Sequence, residues 1–216
     1  MLEFKNLKKR YGDLCVYEDF SLSVAENETL AVLGDSGAGK TTLLNIAAGL
    51  LGYDGGEISG LPDKVSYVFQ SDRLVPHLTV LENLKLVAGE REALSALERA
   101  GLKDFSAAYP ARLSAGMSRR VAILRAFLYD APLVLMDEPF RNLDLTLKYK
   151  LMDFYAQLKS ERPKTALFVT HDIKEAVYLA DRAVIVEKGR VALDIKIADK
   201  TAAEASLSNY FLQKKA

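Results

Sequence analysis

Residues 34–42 read GDSGAGKTT, a glycine-rich stretch set between the apolar run TLAVL and the helix-like stretch TTLLNIAAGL. Nothing else in the chain constrains its fold as tightly. Glycines let the backbone reach φ > 0 and let successive N–H groups converge on one point. The start of the following helix adds its own N–H groups and its positive dipole end. Such a cradle suits an anion. Gly34, Gly39, Lys40 and Thr41 fit the pattern GxxxxGK[ST], and Asp35, Ser36, Gly37, Ala38 and Thr42 complete the loop. In that pattern the lysine reaches the β- and γ-phosphates of a nucleotide, and the Thr41 hydroxyl is a ligand for Mg2+. The loop needs a buried strand before it and a helix after it, and both are present.

The rest of the chain continues the alternation of strand and helix. TLAVLG (29–34), LVLMDE (133–138) and ALFVTH (166–171) are short apolar runs of the kind buried on both faces of a parallel sheet. AVIVEKGRVAL (183–193) predicts a hairpin with Gly189 in its turn. The residues up to Val24 alternate loosely and predict an antiparallel edge sheet. After the loop, Leu43, Ala47 and Leu50 fall at helical spacing. From about Leu74 to Leu128 helical periodicity dominates, with EREALSALERAGL ending a helix near Gly101. Leu207, Tyr210 and Phe211 predict a terminal helix within 199–216. The expected fold is α/β with a mostly parallel sheet. One domain spans 1–216, its core 1–72 and 129–216, with a helical lobe, 73–128, inserted.

Composition narrows the partners. Lys+Arg and Asp+Glu are 29 each, a formal net charge of +0, which argues against a nucleic-acid binder held by bulk charge. Cys15 is the single cysteine, so neither an internal disulfide nor a cysteine zinc site can form, and a reducing cytoplasmic setting fits. No apolar run approaches the ~18 residues of a membrane span. MLEFKNLKKR lacks the apolar block of a signal peptide. Work at a membrane would go through a partner.

Two further stretches carry chemistry. LVLMDE ends an apolar strand in Asp137 and Glu138, at the strand end where open α/β sheets bind ligands. Asp137 would join the Mg2+ shell beside Thr41. Glu138 could take a proton from an attacking water, which favours hydrolysis over transfer to a small substrate. LSAGMSRRVAILRA (113–126) predicts a helix capped by Ser114, with Met117, Val121, Leu124 and Leu128 on one apolar face. Ala115 and Gly116 are small and leave its first N–H groups open to an anion; an ordinary capped helix is the alternative. The phosphate loop alone leaves kinases, GTPases, motor ATPases and transport ATPases open, although no NKxD motif for guanine is found.

Taken in order, GDSGAGKT, Gln70 in VFQ, LSAGM, LVLMDEP, NLD at 142–144 and His171 in VTHD resemble the ATP-binding subunit of an ABC transporter over nearly the whole chain. The resemblance implies a P-loop NTPase (RecA-like) core with an N-terminal antiparallel β subdomain and an inserted helical subdomain. It implies an ATP hydrolase that uses ATP and Mg2+. Two subunits pack head to tail in that family, so Ser114, Ala115 and Gly116 of one copy would cap the ATP held by the other. Gln70 would contact Mg2+ and link the site to the helical lobe. His171 would hold the γ-phosphate and orient Glu138, and Asp144 would tie the two subunits together. Tyr11 would stack on adenine, though an ordinary edge-strand tyrosine is an equal alternative. His77 matches no motif and is read as a loop residue.

The implied partners are a second ATPase subunit, as a homodimer, transmembrane permease subunits and a solute-binding protein, with no nucleic acid. The implied location is the cytoplasmic face of the membrane. Met117 and the run QSDRLVPHLTVLENL resemble the branch of nitrate, sulfonate and taurine importers. Ala115 stands in place of a signature glycine, Met117 and Arg119 in place of glutamines, and Arg141 and Asn142 in place of small residues. A soluble, non-transport ABC-type ATPase of the iron–sulfur assembly kind is the alternative.

Overall fold

The computed structural model describes residues 1–214. The chain opens with two long strands, β1 (Leu2–Tyr11) and β2 (Leu14–Val24), paired antiparallel. β4 (Gly55–Ser59) joins the other edge of β1, giving a three-stranded sheet in the order β2-β1-β4. The loose alternation of the first residues thus forms the antiparallel sheet it predicts.

A second, six-stranded sheet carries the core. β3 (Thr29–Leu33), β5 (Val65–Val68), β6 (Leu133–Asp137), β7 (Thr165–Val169) and β8 (Arg182–Glu187) run parallel, and β9 (Arg190–Lys196) turns back antiparallel through the Gly189 hairpin. Their order is β5-β6-β7-β3-β8-β9. Every residue of β3 and β6 is buried. Side chains still alternate. Leu30, Val32, Leu135, Val169 and Val184 face α1 (Lys40–Ala47) and the antiparallel sheet. Ala31, Leu33, Met136, Phe168 and Ile185 face the opposite way, into a cluster shared with the remaining helices. Both faces are covered, which is why these strands read as unbroken apolar runs in the sequence.

One periodicity expectation is corrected. Leu43 and Ala47 lie buried on α1, but Leu50 is 61% exposed. The helix stops earlier than the apolar spacing suggests. Gly49 N–H bonds to the Ile46 carbonyl and Leu50 N–H to the Asn45 carbonyl, closing the helix with a Schellman turn.

Between β5 and β6 the chain forms α2 (Val80–Lys85), α3 (Glu90–Arg99), two short 3-10 turns and α4 (Ala115–Leu128). Thr79 and Glu82 build a reciprocal capping box that starts α2. Buried Asn83 donates to the carbonyls of Val75, Leu78 and Thr79 and accepts from Val75 N–H, pinning the turn that carries exposed His77. α4 then packs on α5 (Leu145–Glu161), where Phe127 meets Tyr155 edge to face at 5.6 Å. After β7 come α6 (Ile173–Leu179) and, beyond the hairpin, α7 (Lys200–Gln213), which buries Ala203 and Leu207. The expected terminal helix therefore forms; its last two positions, 215 and 216, lie outside the described residues.

Phe127 is 1% exposed and joins α4 to the helix behind the sheet. Phe127→Ala should destabilise the protein by about 3–5 kcal/mol, read as a lower midpoint in urea unfolding. Phe127→Leu should cost well under half of that.

Candidate active site

The phosphate loop starts where β3 ends, and local sterics dictate its glycines. Gly34 has φ +149°, and a Cβ there would sit 2.4 Å from the Val186 carbonyl oxygen. Gly39 has φ +94°, and a Cβ would come within 2.7 Å of Val16 and 2.9 Å of the Tyr17 hydroxyl. Tyr17 also fixes the loop from below by donating to the Gly39 carbonyl at 2.6 Å. Strand β2 of the small sheet thus supports the loop of the large one.

Lys40 opens α1 and turns its head inward. Its Nζ donates to the carbonyls of Gly34 at 2.8 Å and Asp35 at 2.7 Å. Burial lowers its pKa from the usual lysine value, while the negative charges of Glu138 and Asp137 work against that shift. Next to it, the Thr41 hydroxyl lies 3.0 and 3.2 Å from the two Asp137 carboxylate oxygens. Burial raises the Asp137 pKa, and the Thr41 hydrogen bond opposes it. A hydroxyl and a carboxylate therefore meet at the foot of an anion cradle. Both are hard oxygen donors of the kind a small divalent cation takes.

Glu138 follows β6 with φ +45°, a sparsely populated conformation for a side chain of this size. Its N–H still bonds to the Val169 carbonyl at 2.9 Å, which ties the turn to β7. One carboxylate oxygen lies 3.3 Å from His171 Nδ1, and the other 3.2 Å from an Arg141 guanidinium nitrogen. His171 comes from just beyond β7, so two adjacent strand ends supply the pair.

These groups line one cleft of about 540 Å³. Ser36, Gly37, Gly39, Lys40, Thr41 and Thr42 form one wall. Gln70, Asp137, Glu138, Arg141 and His171 form the other. Tyr11, 47% exposed with the Lys9 ammonium 5.1 Å from its ring centroid, stands at the mouth. Gly34 lies beneath the loop. Asp35 and Ala38 face a neighbouring hollow, where Lys214 pairs with Asp35 at 2.5 Å.

Besides Gly34, Asp35 and Ala38, four more of the sequence-predicted residues do not line this cleft. Ser114 is exposed and caps α4, its Oγ accepting from Met117 N–H at 3.3 Å. Ala115 is exposed beside it. Gly116 is buried, and a Cβ there would lie 2.5 Å from Leu147, so α4 and α5 approach closely at this point. Asp144 caps α5 by accepting from Leu147 N–H at 3.0 Å. The starts of α4 and α5 are therefore neighbours, and none of these four residues lines the cleft.

The structure also reveals a support that the sequence does not announce. Arg119 is 6% exposed. Its guanidinium donates to the carbonyls of Phe69, at 2.7 Å, and Gln70, and pairs with Asp72 at 3.1 Å. Arg125 donates to the Arg73 carbonyl at 2.9 Å. The segment bearing Gln70 is thus fastened to α4 by two arginines. In the sequence, Arg119 is visible only as a departure from the usual glutamine; its partners Phe69, Gln70 and Asp72 lie about fifty positions away.

Comparison with known proteins agrees with this geometry. A family model described as ABC transporter matches residues 17–141. An aliphatic sulfonates import ATP-binding protein of Ralstonia nicotianae is 39% identical over 206 residues, covering 91% of this chain and 72% of that protein. A protein of the same description from Paracoccus denitrificans is 39% identical over 200 residues, covering 89% and 82%. A dimeric ATP-binding cassette in a post-hydrolysis state, bound to ADP and Pi, has a TM-score of 0.79 at 31% identity, covering 92% of this chain and 100% of that one. An ATP binding subunit of an ABC transporter has a TM-score of 0.83 at 28% identity, with 100% of both chains covered. The family match covers more than half of the chain and the relatives about nine-tenths of it, and the chain is a member of the ABC transporter family, as an ATP-binding subunit.

Proposed function

We propose that this chain hydrolyses ATP to drive a membrane importer of a small solute, as one of two identical subunits packed head to tail. The observation that carries the reading is the separation of two half-sites. The phosphate loop and Glu138 share one cleft, while the exposed start of α4 lies outside its lining. A second copy, turned end for end, brings its α4 to the first copy's cleft. The Ser114 hydroxyl already accepts from its own helix, so its proton remains to donate to a γ-phosphate oxygen. The first N–H groups of α4 point the same way, with Gly116 contributing through its backbone.

Within the cleft each residue has a task. The loop N–H groups and Lys40 hold the β- and γ-phosphates. Glu138 accepts a proton from a water in line with the γ-phosphorus, as that water attacks and ADP departs. His171 steadies the Glu138 carboxylate and faces the same phosphate. Tyr11 stacks on the adenine, an interaction worth roughly 1–3 kcal/mol. Thr41, Asp137 and Gln70 would hold Mg2+, which neutralises phosphate charge when bound. Among the described residues no group of three or more His, Cys, Asp or Glu could hold a metal.

Motion would leave the site through Gln70. Arg119 and Arg125 fasten its segment to α4, so closure of the pair would move the helical lobe. We place the permease contact there, beside residues 72–85, on the cytoplasmic face of the membrane. Among the described residues no helix is long and apolar enough to cross a membrane. The relatives' description as import ATP-binding proteins supports transport over an iron–sulfur assembly role. A solute-binding protein would complete such a system, and the cargo would be read by the partner subunits.

Glu138→Gln should lower ATP turnover by at least about 100-fold while ATP still binds and promotes dimers, checked by phosphate release and by size-exclusion chromatography with light scattering. Arg119→Met should lower the melting temperature by several degrees, because it leaves Asp72 half-buried without its cation. Mixing tests the head-to-tail arrangement. Ser114→Arg and Lys40→Ala chains should each be inactive alone. Together they should regain about a quarter of normal turnover, since half of random dimers carry one intact site of two. An inactive mixture would rule out the shared site.

A further inference from the structure

Arg141 lines the cleft but has no task in the hydrolysis described so far. It ends the turn that Glu138 begins, its N–H bonding to the Glu138 carbonyl at 3.2 Å. Its guanidinium lies 3.2 Å from Glu138 Oε2, while His171 Nδ1 lies 3.3 Å from Oε1. The two oxygens of one carboxylate are thus flanked by two different nitrogens, Oε1 by the His171 ring and Oε2 by Arg141 as an ion pair without a hydrogen bond. The carboxylate stands on a backbone at φ +45°, where rotamer preference alone holds it poorly. Among the described residues the Arg141 guanidinium makes no other ion pair or hydrogen bond. The side chain is 44% exposed, so the pair adds little to folding stability.

We propose that Arg141 is a positioning residue for hydrolysis, clamping the Glu138 carboxylate from the side opposite His171. The clamp fixes the carboxylate against rotation and keeps one oxygen on the line of the attacking water. Lining up a base with its water is the kind of geometry in which a small misplacement costs much rate. Folding needs no arginine here, and a loosely tethered glutamate would turn away from the water more often. This inference rests on the reading of Glu138 as the water-activating group.

The test compares Arg141→Ala, Arg141→Lys, Glu138→Gln and the double variant Glu138→Gln/Arg141→Ala. Steady-state turnover, fluorescent-nucleotide binding and thermal melting are measured for each. Arg141→Ala should lose about tenfold in kcat, the scale of letting a reacting group drift from its working position, with ATP affinity and melting temperature unchanged. Arg141→Lys should restore most of the loss, although a lysine lacks the planar fork. In the Glu138→Gln background, removing Arg141 should have no further effect, because the residue acts through that carboxylate. Undiminished kcat in Arg141→Ala would overturn the proposal. So would weakened ATP binding with kcat retained, which marks a phosphate ligand, or a full tenfold further loss in the double variant. Normal turnover in Glu138→Gln would instead overturn the role of Glu138, and the clamp with it.

Discussion

The hydrogen bond between Thr41 and Asp137 joins residues 96 positions apart, and the chemistry of the cleft is arranged around it. It exists because β7 lies between β3 and β6, with all three strands parallel and ending at the same rim. The first turn of α1 then faces the end of β6 across that rim. Burial on both faces locks the strands in register, so the loop, the two carboxylates and His171 hold fixed separations.

Lys40 and Asp137 are buried at the foot of the cleft, and each is stabilised by a named neighbour. Lys40 is held by two loop carbonyls. Asp137 is held by Thr41, and its carboxyl is pushed up both by burial and by the nearby charge of Glu138. An environment that penalises a cation and a carboxylate together favours a ligand that supplies charges of both signs. A nucleotide with a divalent cation is such a ligand, and in a low-dielectric site its interactions with Lys40 and Asp137 are stronger than in water.

The support of the cleft is asymmetric. Beneath the loop, Tyr17 of the antiparallel sheet fixes Gly39, and the Val186 carbonyl leaves no room for a side chain at Gly34. On the Gln70 side, the backbone is held by arginines from α4 rather than by strand pairing. Strand pairing gives a rigid wall. Side-chain anchors reach across two packed elements. One wall of the cleft is thus held from beneath by the antiparallel sheet and the other by side chains of α4.

Much of this was legible in the sequence because its signals are local. GDSGAGKTT needs only a strand before it and a helix after it. Ser114 and Asp144 cap helices through neighbours three residues away, and the apolar runs of β3, β6 and β7 announce burial on both faces. What the sequence left undetermined depends on distance along the chain. Leu50 kept the helical spacing of α1 but lies beyond a closing turn, since periodicity does not see where backbone carbonyls find other partners. Arg119 looked like a departure from a motif, and only the fold brings it to Phe69, Gln70 and Asp72. Arg141 looked equally out of place until β6 and its turn set it against Glu138. Local spacing determined the elements and the loop; the order of strands in the sheet decided which charges meet, because a buried charge is stabilised by its neighbours in space and not by those in sequence.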